Sequence, residues 1–276
     1  MRRQALADRL PRPSVMGVLN VTPDSFSDGG VHVDPEAAAA RARAMVAEGA
    51  ALVDVGGEST RPGSDGITVD EELRRVVPVL ERLEGVPVSI DTAKAEVARR
   101  ALALGVELVN DVTALRGDPA LVEVVAEGGA YLCLMHMRGE PRTMQDAPVY
   151  DDVLAEVARF LEERLAFAVA AGVSEDRICL DPGIGFGKTP RQNLELVRGL
   201  GQLAALGRPV LVGLSRKSTL GKVLGDPHAR VGSDDASVGA AVAAFDRGAS
   251  IFRVHAVRRH VEALTIAAAV EVGAYA

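Results

Sequence analysis

The segment "RICLDPGIGFGKTP", residues 177–190, carries the pattern that decides the fold. A short apolar run ends at Asp181, glycines follow at positions 183, 185 and 187, and a longer amphipathic segment begins near residue 190. Short Val/Ile/Leu-rich runs are typical of strands buried on both faces, and amphipathic segments are typical of helices. The segment therefore predicts a strand, a glycine-rich loop and a helix in succession.

The glycines do not match a nucleotide phosphate loop, although Lys188-Thr189 invites that interpretation. With Gly187-Lys188-Thr189 fixed, the pattern G-x-x-x-x-G-K-[ST] requires glycine at position 182, which is Pro182. Proline has no N–H to direct at a phosphate. The dinucleotide pattern G-x-G-x-x-G also fails, because its last glycine falls on Lys188. We expect the loop to serve a different ligand.

The strand-then-helix succession repeats eight times along the 276 residues. The predicted strands are residues 15–20, 51–57, 86–91, 107–112, 131–136, 177–183, 209–215 and 250–256. The predicted helices are residues 35–49, 70–84, 93–104, 118–128, 151–171, 190–206, 233–247 and 257–272. Eight such units without a linker predict an α/β fold, a single-domain (β/α)₈ TIM barrel over residues 1–276. A doubly wound open sheet is the alternative, weakened by its two apolar edges and by the missing dinucleotide pattern.

Several predicted helix ends carry local signals. Asp34-Pro35 places a capping side chain before a proline suited to the first helical position. Gly49, Gly105 and Gly172 stand near helix ends, where a left-handed residue is favoured. Residues 174–177 interrupt the helical pattern before the sixth strand.

Composition limits the partners that the chain can have. A net charge of −7 argues against a nucleic-acid or acidic-membrane surface, so any anionic ligand needs a local cluster of cations. The charged N-terminus precedes no apolar stretch, and no apolar run reaches the ~18 residues of a membrane span. Cys133 and Cys179 lie inside apolar runs, which predicts buried, reduced thiols. We therefore expect a cytoplasmic protein without a membrane partner.

Polar side chains collect where the predicted strands end, the edge at which barrels form their sites. They are Asn20, residues 56–61, Asp91, Asn110, Asp111, His136, Asp181, residues 215–218, Arg253 and His255. One group could pair with a flat heterocycle: Asp91, Asn110 and Asp181. A second group suits a phosphate or diphosphate: Arg61, Lys217, Arg253 and His255. The alternative is that Lys217 or Arg253 forms a structural ion pair with Asp181 or Asp91.

Three polar, glycine-rich loops are longer than a barrel connection requires. They span residues 21–34, 56–68 and 137–148. Long loops on a rigid barrel are commonly lids or binding loops. The alternative, a mobile insertion, fits residues 137–148 best.

These motifs resemble the dihydropteroate synthase family. The matching segments are "GVLNVTPDSFSDGG" from residue 17, "DVGGESTRPGS" from 54, "SIDT" from 89, "NDV" from 110, "LMHMRGEPRTMQ" from 134, "LDPGIGFGKT" from 180, "GLSRKS" from 213 and "RVH" from 253. They occur in order, one at each predicted strand end. The resemblance implies condensation of 7,8-dihydropterin-6-ylmethyl diphosphate with 4-aminobenzoate, giving 7,8-dihydropteroate and diphosphate. It also implies a Mg²⁺ cofactor and a homodimer, through helices of the later units.

The resemblance also implies a role for each matching residue. The pterin would be bound by Asp91, Asn110, Met135, Asp181, Phe186, Gly213 and Lys217. The diphosphate would be bound by Asn20, Thr60, Arg253 and His255, with Asn20 holding Mg²⁺. The aminobenzoate would be enclosed by Phe26, Thr60, Arg61, Pro62 and Ser218. The catalytic set would be Asp91, Lys217, Arg253 and His255. Ala256 departs from the aspartate that relatives often carry, and Lys188 is expected to be solvated.

The residues favour a dissociative substitution. Cations and Mg²⁺ would neutralise the leaving diphosphate, and carboxylates, chiefly Asp91, would stabilise the positive charge left on the pterin methylene. Cys133, Ser59 and Ser215 have no adjacent base in any motif, which argues against a covalent intermediate. Two alternatives stay open: a pterin-binding methyltransferase barrel, which needs no diphosphate cations, and a non-catalytic folate-binding barrel.

Overall fold

A computed structural model of the chain describes residues 4–22, 34–59, 64, 66–139, 144 and 148–274. Eight parallel strands form one sheet in the order β6-β5-β4-β3-β2-β1-β8-β7. They are β1 (Ser14–Asn20), β2 (Leu52–Gly56), β3 (Val88–Asp91), β4 (Leu108–Asp111), β5 (Tyr131–Met135), β6 (Ile178–Asp181), β7 (Leu211–Val212) and β8 (Ile251–Val254). A parallel bridge between Leu180 and Val210 joins the two end strands. The predicted barrel is confirmed, and the open-sheet alternative is wrong.

Helices alternate with the strands. They are α1 (Leu6–Arg9), α2 (Pro35–Ala47), α3 (Val69–Leu80), α4 (Ala95–Ala103), α5 (Leu121–Gly128), α6 (Val153–Ala170), α7 (Pro190–Arg198), α8 (Leu200–Ala204), α9 (Ser218–Val223), α10 (Asp234–Phe245) and α11 (Val257–Val272), with a 3₁₀ turn over Glu175–Arg177. The predicted helix over 190–206 is two helices, which meet at Gly199, where the backbone leaves helical geometry with a φ of −95° and a ψ of 9°. The sequence pattern missed α1 and α9.

The seventh strand is shorter than predicted. Only Leu211 and Val212 pair with β8, whereas the apolar run predicts a strand over residues 209–215. Pro209 has no N–H to donate to a neighbouring strand, and its carbonyl accepts from Leu180 N at 3.0 Å. Beyond Val212 the chain leaves the sheet and forms the segment that carries Lys217.

The helix-end signals act as the sequence predicts. Asp34 Oδ1 accepts from Glu36 N at 2.9 Å, and Pro35 is the first residue of α2. Gly49, Gly105 and Gly172 have φ values of +103°, +93° and +99°, a left-handed region that glycine tolerates best.

Alternate side chains of each strand separate the interior of the barrel from the helical layer. Val53, Val55 and Val109 point outward into the core between sheet and helices. Leu52, Leu108 and the two cysteines point inward, into a second cluster that Leu6 and Leu10 cover at the amino-terminal end. Cys133 lies opposite Cys179, and both are buried, free thiols, as predicted. The amino-terminal end is thus filled with apolar groups, which leaves polar chemistry to the other end.

Candidate active site

The register brings the predicted pterin residues of the strands to the carboxyl end of the barrel, with Asp91 and Asn110 in one row. Asn20 lies opposite Gly56, Gly56 opposite Asp91, and Asp91 opposite Asn110. Asn110 lies opposite Cys133, and two residues further along β5 and β6 Met135 lies opposite Asp181. Asp91, Asn110 and Asp181 are at most 8% exposed, so their polar atoms are almost wholly shielded from water. The mouth therefore offers two carboxylates and an amide in a low-dielectric setting.

A charged network that the motifs did not reveal lies beneath this row. Asp54, in the middle of β2, is fully buried and accepts from Arg253 Nε at 2.6 Å. Its two oxygens also accept from Ser89 Oγ at 2.6 Å and from Asn110 Nδ2 at 3.1 Å. The available signal was an aspartate inside an otherwise apolar strand, two residues before Gly56 and on the same face.

Arg253 connects the two charge groups that the sequence pattern treats as separate. Its Nη2 donates to Asp91 Oδ2 at 2.8 Å, while its Nε bonds Asp54. The two groups are therefore not separate at Arg253, because its guanidinium bonds Asp91, a member of the first group, as well as Asp54. The ion pair between Arg253 and Asp91, the alternative that the sequence left open, is present. The place of Arg253 in diphosphate binding stays a prediction.

Burial controls the protonation of the carboxylates. It raises the pKa of Asp91 to about 7, although the charge of Arg253 opposes that rise. It raises the pKa of Asp181 to about 6, against the Gly183 N–H and the charge of Lys217. Burial would lower the pKa of Arg253, but the carboxylates of Asp54 and Asp91 raise it further. Buried carboxylates with pKa values raised in this way are typical of functional sites, which makes the mouth of the barrel the candidate active site.

The glycine-rich loop after β6 needs its glycines. Gly183, Gly185 and Gly187 have φ values of +68°, +84° and +67°. A Cβ on Gly183 would lie 1.9 Å from His136 O, and one on Gly187 would lie 2.6 Å from Arg138 O. Asp181 Oδ1 accepts from Gly183 N at 2.6 Å, which ties the loop back to the strand end. The glycines are required both by these φ values and by the close approach of the loop to the carbonyls of His136 and Arg138.

An apolar wall borders the loop. Phe186 packs on a buried cluster that contains Met135, together with Val112, Met137 and Met144. Lys217 Nζ lies 4.3 Å from the centre of the Phe186 ring. A flat ligand placed beside Asp181 would meet this wall, which suits the aromatic face of a heterocycle.

Lys188 is buried, so the expectation that it is solvated is wrong. The residue is 2% exposed, and its Nζ donates to Gly183 O at 2.9 Å and to Phe186 O at 3.0 Å. Nζ also lies 2.9 Å from His136 Nδ1. Burial lowers the pKa of Lys188 to about 7. The Lys188 side chain thus stabilises the glycine loop from inside the protein; we call this contact the Lys188 brace.

Two polar strand-end residues turn away from the mouth. Asp111 caps a turn, accepting from Thr113 N at 2.8 Å and from Leu115 N at 2.6 Å. His136 packs edge-on against Phe160, with ring centres 4.8 Å apart. Each follows an inward residue, Asn110 or Met135, and successive strand side chains point to opposite faces. Their placement in the site by sequence position was wrong for that reason.

The β7 and β8 ends bring further predicted residues together. Ser215 Oγ lies 3.0 Å from His255 Nδ1 and accepts from His255 N at 3.2 Å. Ser218 is the first residue of α9. A Cβ added to Gly213 would meet nothing within 4 Å, so this glycine borders open space. Phe26, Thr60, Arg61 and Pro62, the other predicted aminobenzoate residues, lie outside the described residues.

The base of the 56–68 loop is tied to β3. Lys94 Nζ bonds Glu58 and lies 2.6 Å from Glu72 Oε2. Glu58 Oε1 accepts from Ile67 N at 3.2 Å, on the other side of the loop. Lys94 follows Asp91 by three residues, so these bonds join the loop base to the segment just beyond the β3 end.

Comparisons with known proteins show the family of this chain. The family described as "Pterin binding enzyme" matches residues 16–255. The dihydropteroate synthase of Escherichia coli (strain K12) is 46% identical over 261 residues, which cover 93% of this chain and 91% of that protein. The chain belongs to the dihydropteroate synthase family. It is accordingly a transferase of folate biosynthesis.

Solved structures of the family share the fold. The Xanthomonas albilineans dihydropteroate synthase with 4-aminobenzoic acid superposes with a TM-score of 0.86 at 50% identity, covering 95% of this chain and 94% of that one. The same organism's enzyme in complex with 7,8-dihydropteroate gives a TM-score of 0.83 at 47% identity, again over 95% and 94%. Within the part of this chain that the structure describes, no helix is long and apolar enough to cross a membrane.

Proposed function

We propose that the carboxyl end of this barrel condenses 7,8-dihydropterin-6-ylmethyl diphosphate with 4-aminobenzoate, giving 7,8-dihydropteroate and releasing diphosphate. The observation that carries the proposal is the burial of Asp91, Asn110 and Asp181 at the carboxyl end of the barrel, near the Phe186 wall. Carboxylate and amide groups can pair with the donors and acceptors along one edge of a pterin. Lys217, above Phe186, adds a cation at the same edge.

Arg253 is suited to the leaving group. A guanidinium carries five N–H donors, and the bonds to Asp54 and Asp91 orient it without using all of them. His255, held by Ser215, and Asn20, at the end of β1, lie at neighbouring strand ends. With Thr60 they would surround a diphosphate. A pre-oriented cation stabilises the departing charge without reorganising during the reaction.

Mg²⁺ fits this site as an ion that arrives with the diphosphate. Among the described residues no cluster of three or more His, Cys, Asp or Glu could hold a metal. Mg²⁺ commonly keeps several waters and uses few protein ligands together with substrate phosphates, and the Asn20 amide oxygen provides one oxygen ligand of that kind. When bound, the ion would neutralise charge on the leaving oxygens.

The protein then favours a dissociative substitution. Ionised Asp91, near the pterin, stabilises positive charge on the ring and its methylene as the C–O bond to diphosphate breaks. The aminobenzoate nitrogen forms a bond to that carbon and then releases one proton to water. Ser218 and the loop residues Phe26, Thr60, Arg61 and Pro62 would hold the aminobenzoate, and positioning supplies much of the rate gain.

The outer face of α10 and α11 supports a homodimer. A groove of about 1020 Å³ lies there, and Val238, Val242, Ile266 and Val270 are among its lining residues. Ile266 and Val270 are 66% and 76% exposed, and side chains this apolar are commonly covered by a partner. A second copy of this chain is the proposed occupant, because acidic Glu262 and basic Arg259 border the same groove and can pair across a two-fold axis.

Ile266→Asp should convert a dimer into a monomer in light scattering; a wild-type monomer contradicts the proposal.

A reducing compartment, the cytoplasm, is the proposed location. Cys133 and Cys179 lie opposite each other on neighbouring strands as free thiols. Cell fractionation of the tagged full chain tests this; enrichment outside the cytoplasm overturns it.

A diphosphate-release assay tests the proposed reaction. The chain with both substrates and Mg²⁺ should release diphosphate and form 7,8-dihydropteroate. Asp181→Asn should reduce turnover strongly, because it replaces an acceptor by a donor at a buried edge. Asp70→Asn, at an exposed position of α3, is the matched control and should keep activity. Methyl transfer from a folate to a corrinoid, or ligand binding without turnover, would replace the proposed reaction.

A further inference from the structure

Asn193 joins two loops of the site through the two ends of its amide. Its Oδ1 accepts from Gly185 N at 2.9 Å, in the glycine loop after β6. Its Nδ2 donates to Thr219 Oγ1 at 2.9 Å, in the first turn of α9. Asn193 and Thr219 are 2% and 3% exposed, so water does not compete for these bonds.

The helix that carries Asn193 is fixed at its start. Thr189 caps α7 by accepting from Gln192 N at 3.3 Å, and Gln192 Oε1 accepts from Thr189 N at 2.8 Å. This reciprocal capping box fixes the first turn of the helix. Asn193 N donates to Thr189 O at 3.0 Å, so its backbone belongs to that turn. The amide is thereby presented from a rigid element.

Both joined loops carry substrate residues, and they meet closely. The first loop contains Phe186 and begins at Asp181, and the second contains Lys217 and Ser218. Lys217 Nζ lies 4.3 Å from the Phe186 ring centre. A Cβ on Gly185 would be 3.1 Å from Lys217 Cδ, so the spacing between the loops has little tolerance. Gly185 has a φ of +84°, and that conformation is held by the bond to Asn193.

We propose that Asn193 is a positioning residue that sets the distance between the glycine loop and the Lys217–Ser218 segment. The inference rests on the proposed function, which assigns the pterin to the glycine loop and both substrates to the Lys217–Ser218 segment. An amide is suited to the task, since one planar group supplies the acceptor for Gly185 and the donor for Thr219. Asn193 touches neither substrate. It acts through the two segments that do.

The test uses three single variants and one double variant. Asn193→Leu removes both bonds, Thr219→Val removes one at nearly constant volume, and Thr219→Ser keeps the hydroxyl as the matched control. The first two should raise KM for both substrates roughly tenfold, the effect expected when a buried hydrogen-bonding group loses its partner. Thr219→Ser should stay near wild type. The double variant, Asn193→Leu with Thr219→Val, should have KM values no higher than those of Asn193→Leu alone, because both changes break the same connection.

Calorimetry with a bare dihydropterin separates failure of this inference from failure of the proposed reaction. Loss of pterin affinity in Thr219→Val supports the inference even if the wild-type chain releases no diphosphate, since Thr219 lies in the first turn of α9, outside the glycine loop. Wild-type KM values and pterin affinity in folded Asn193→Leu and Thr219→Val overturn it. Equal losses in Thr219→Val and Thr219→Ser also overturn it, because the hydroxyl would then be irrelevant.

Discussion

The Nζ of Lys188 lies 2.9 Å from Nδ1 of His136, inside the protein. The ammonium also donates to two carbonyls of the glycine loop, those of Gly183 and Phe186. Because an ammonium has donors and no acceptor, the imidazole nitrogen facing it must be the unprotonated one. One side chain thus holds both the loop after β6 and the end of β5.

Replacing Lys188 by methionine should loosen the loop that the pterin contacts. Lys188→Met leaves the Gly183 and Phe186 carbonyls without this donor, which costs about 1–3 kcal/mol in the free energy of unfolding. Pterin affinity in calorimetry should fall. Lys222→Met, at an exposed position in α9, is the matched control and should match wild type. Unchanged pterin affinity in Lys188→Met would show that the brace does not support the ligand site.

His136 should make folding stability depend on pH. Burial, and then the charge of Lys188, lowers its pKa from 6.5 to about 2. Between these values the unfolded chain binds a proton that the folded chain does not, so stability falls as pH falls from 6.5 towards 2. The contribution is at most about 1.4 kcal/mol per pH unit.

Denaturant unfolding across that pH window measures the effect. His136→Gln keeps an acceptor for Lys188 and should flatten the curve relative to wild type. His228→Gln, at an exposed position, should leave the slope unchanged. Parallel wild-type and His136→Gln curves would contradict the prediction.

Asp54 should influence the acid limb of the pH–rate profile. Its negative charge raises the pKa of Asp91, after the larger effects of burial and Arg253. Asp54→Asn removes that charge, so the pKa of Asp91 should fall and the limb of kcat/KM governed by Asp91 should move to lower pH. Breaking one partner of a buried ion pair should also cost roughly 3 kcal/mol of stability. Asp70→Asn is the charge-matched control and should leave the profile unchanged. If Asp54→Asn also leaves the acid limb unchanged, Asp54 does not influence the titration of Asp91.

Gly183→Ala should damage the loop by crowding rather than by backbone strain alone. Its Cβ would lie 1.9 Å from His136 O, so the loop or β5 must move. Gly207 has a similar φ of +75° and nothing within 4 Å, which makes Gly207→Ala the control for strain. We expect that control to lose about 1 kcal/mol of stability and to keep pterin affinity. Gly183→Ala should lose more stability and most of its affinity; equal behaviour of the two variants would refute the crowding argument.

Much of the fold could be predicted from local pattern. The apolar runs specify the strands because both strand faces are buried, one in the barrel interior and one under the helices. Asp34-Pro35 and Gly49 mark helix ends through bonds that form within a few residues. The β7 run misled because apolar content does not reveal how many residues find a ladder partner.

The site was predictable only where a residue stands at a strand end and points inward. Asp91, Asn110 and Asp181 met both conditions, whereas Asp111 and His136 met only the first. Asp54 and Arg253 are 199 positions apart, and their contact depends on the register of strands that adjoin only after folding. The burial of Lys188 likewise depends on His136, 52 positions away.

The junction between β6 and β7 gives the barrel an asymmetry. Elsewhere, neighbouring strands share ladders of two to five paired positions, but here the pairing is the single bridge at Leu180 and Val210. The loops that carry Asp181 and Lys217 leave from the two sides of this seam, and Asn193 spans it above the sheet. Among the described strands, this seam has fewer paired positions than any other neighbouring pair. Backbone amides at this seam should therefore exchange with solvent before those of the continuous ladders on the opposite side of the barrel.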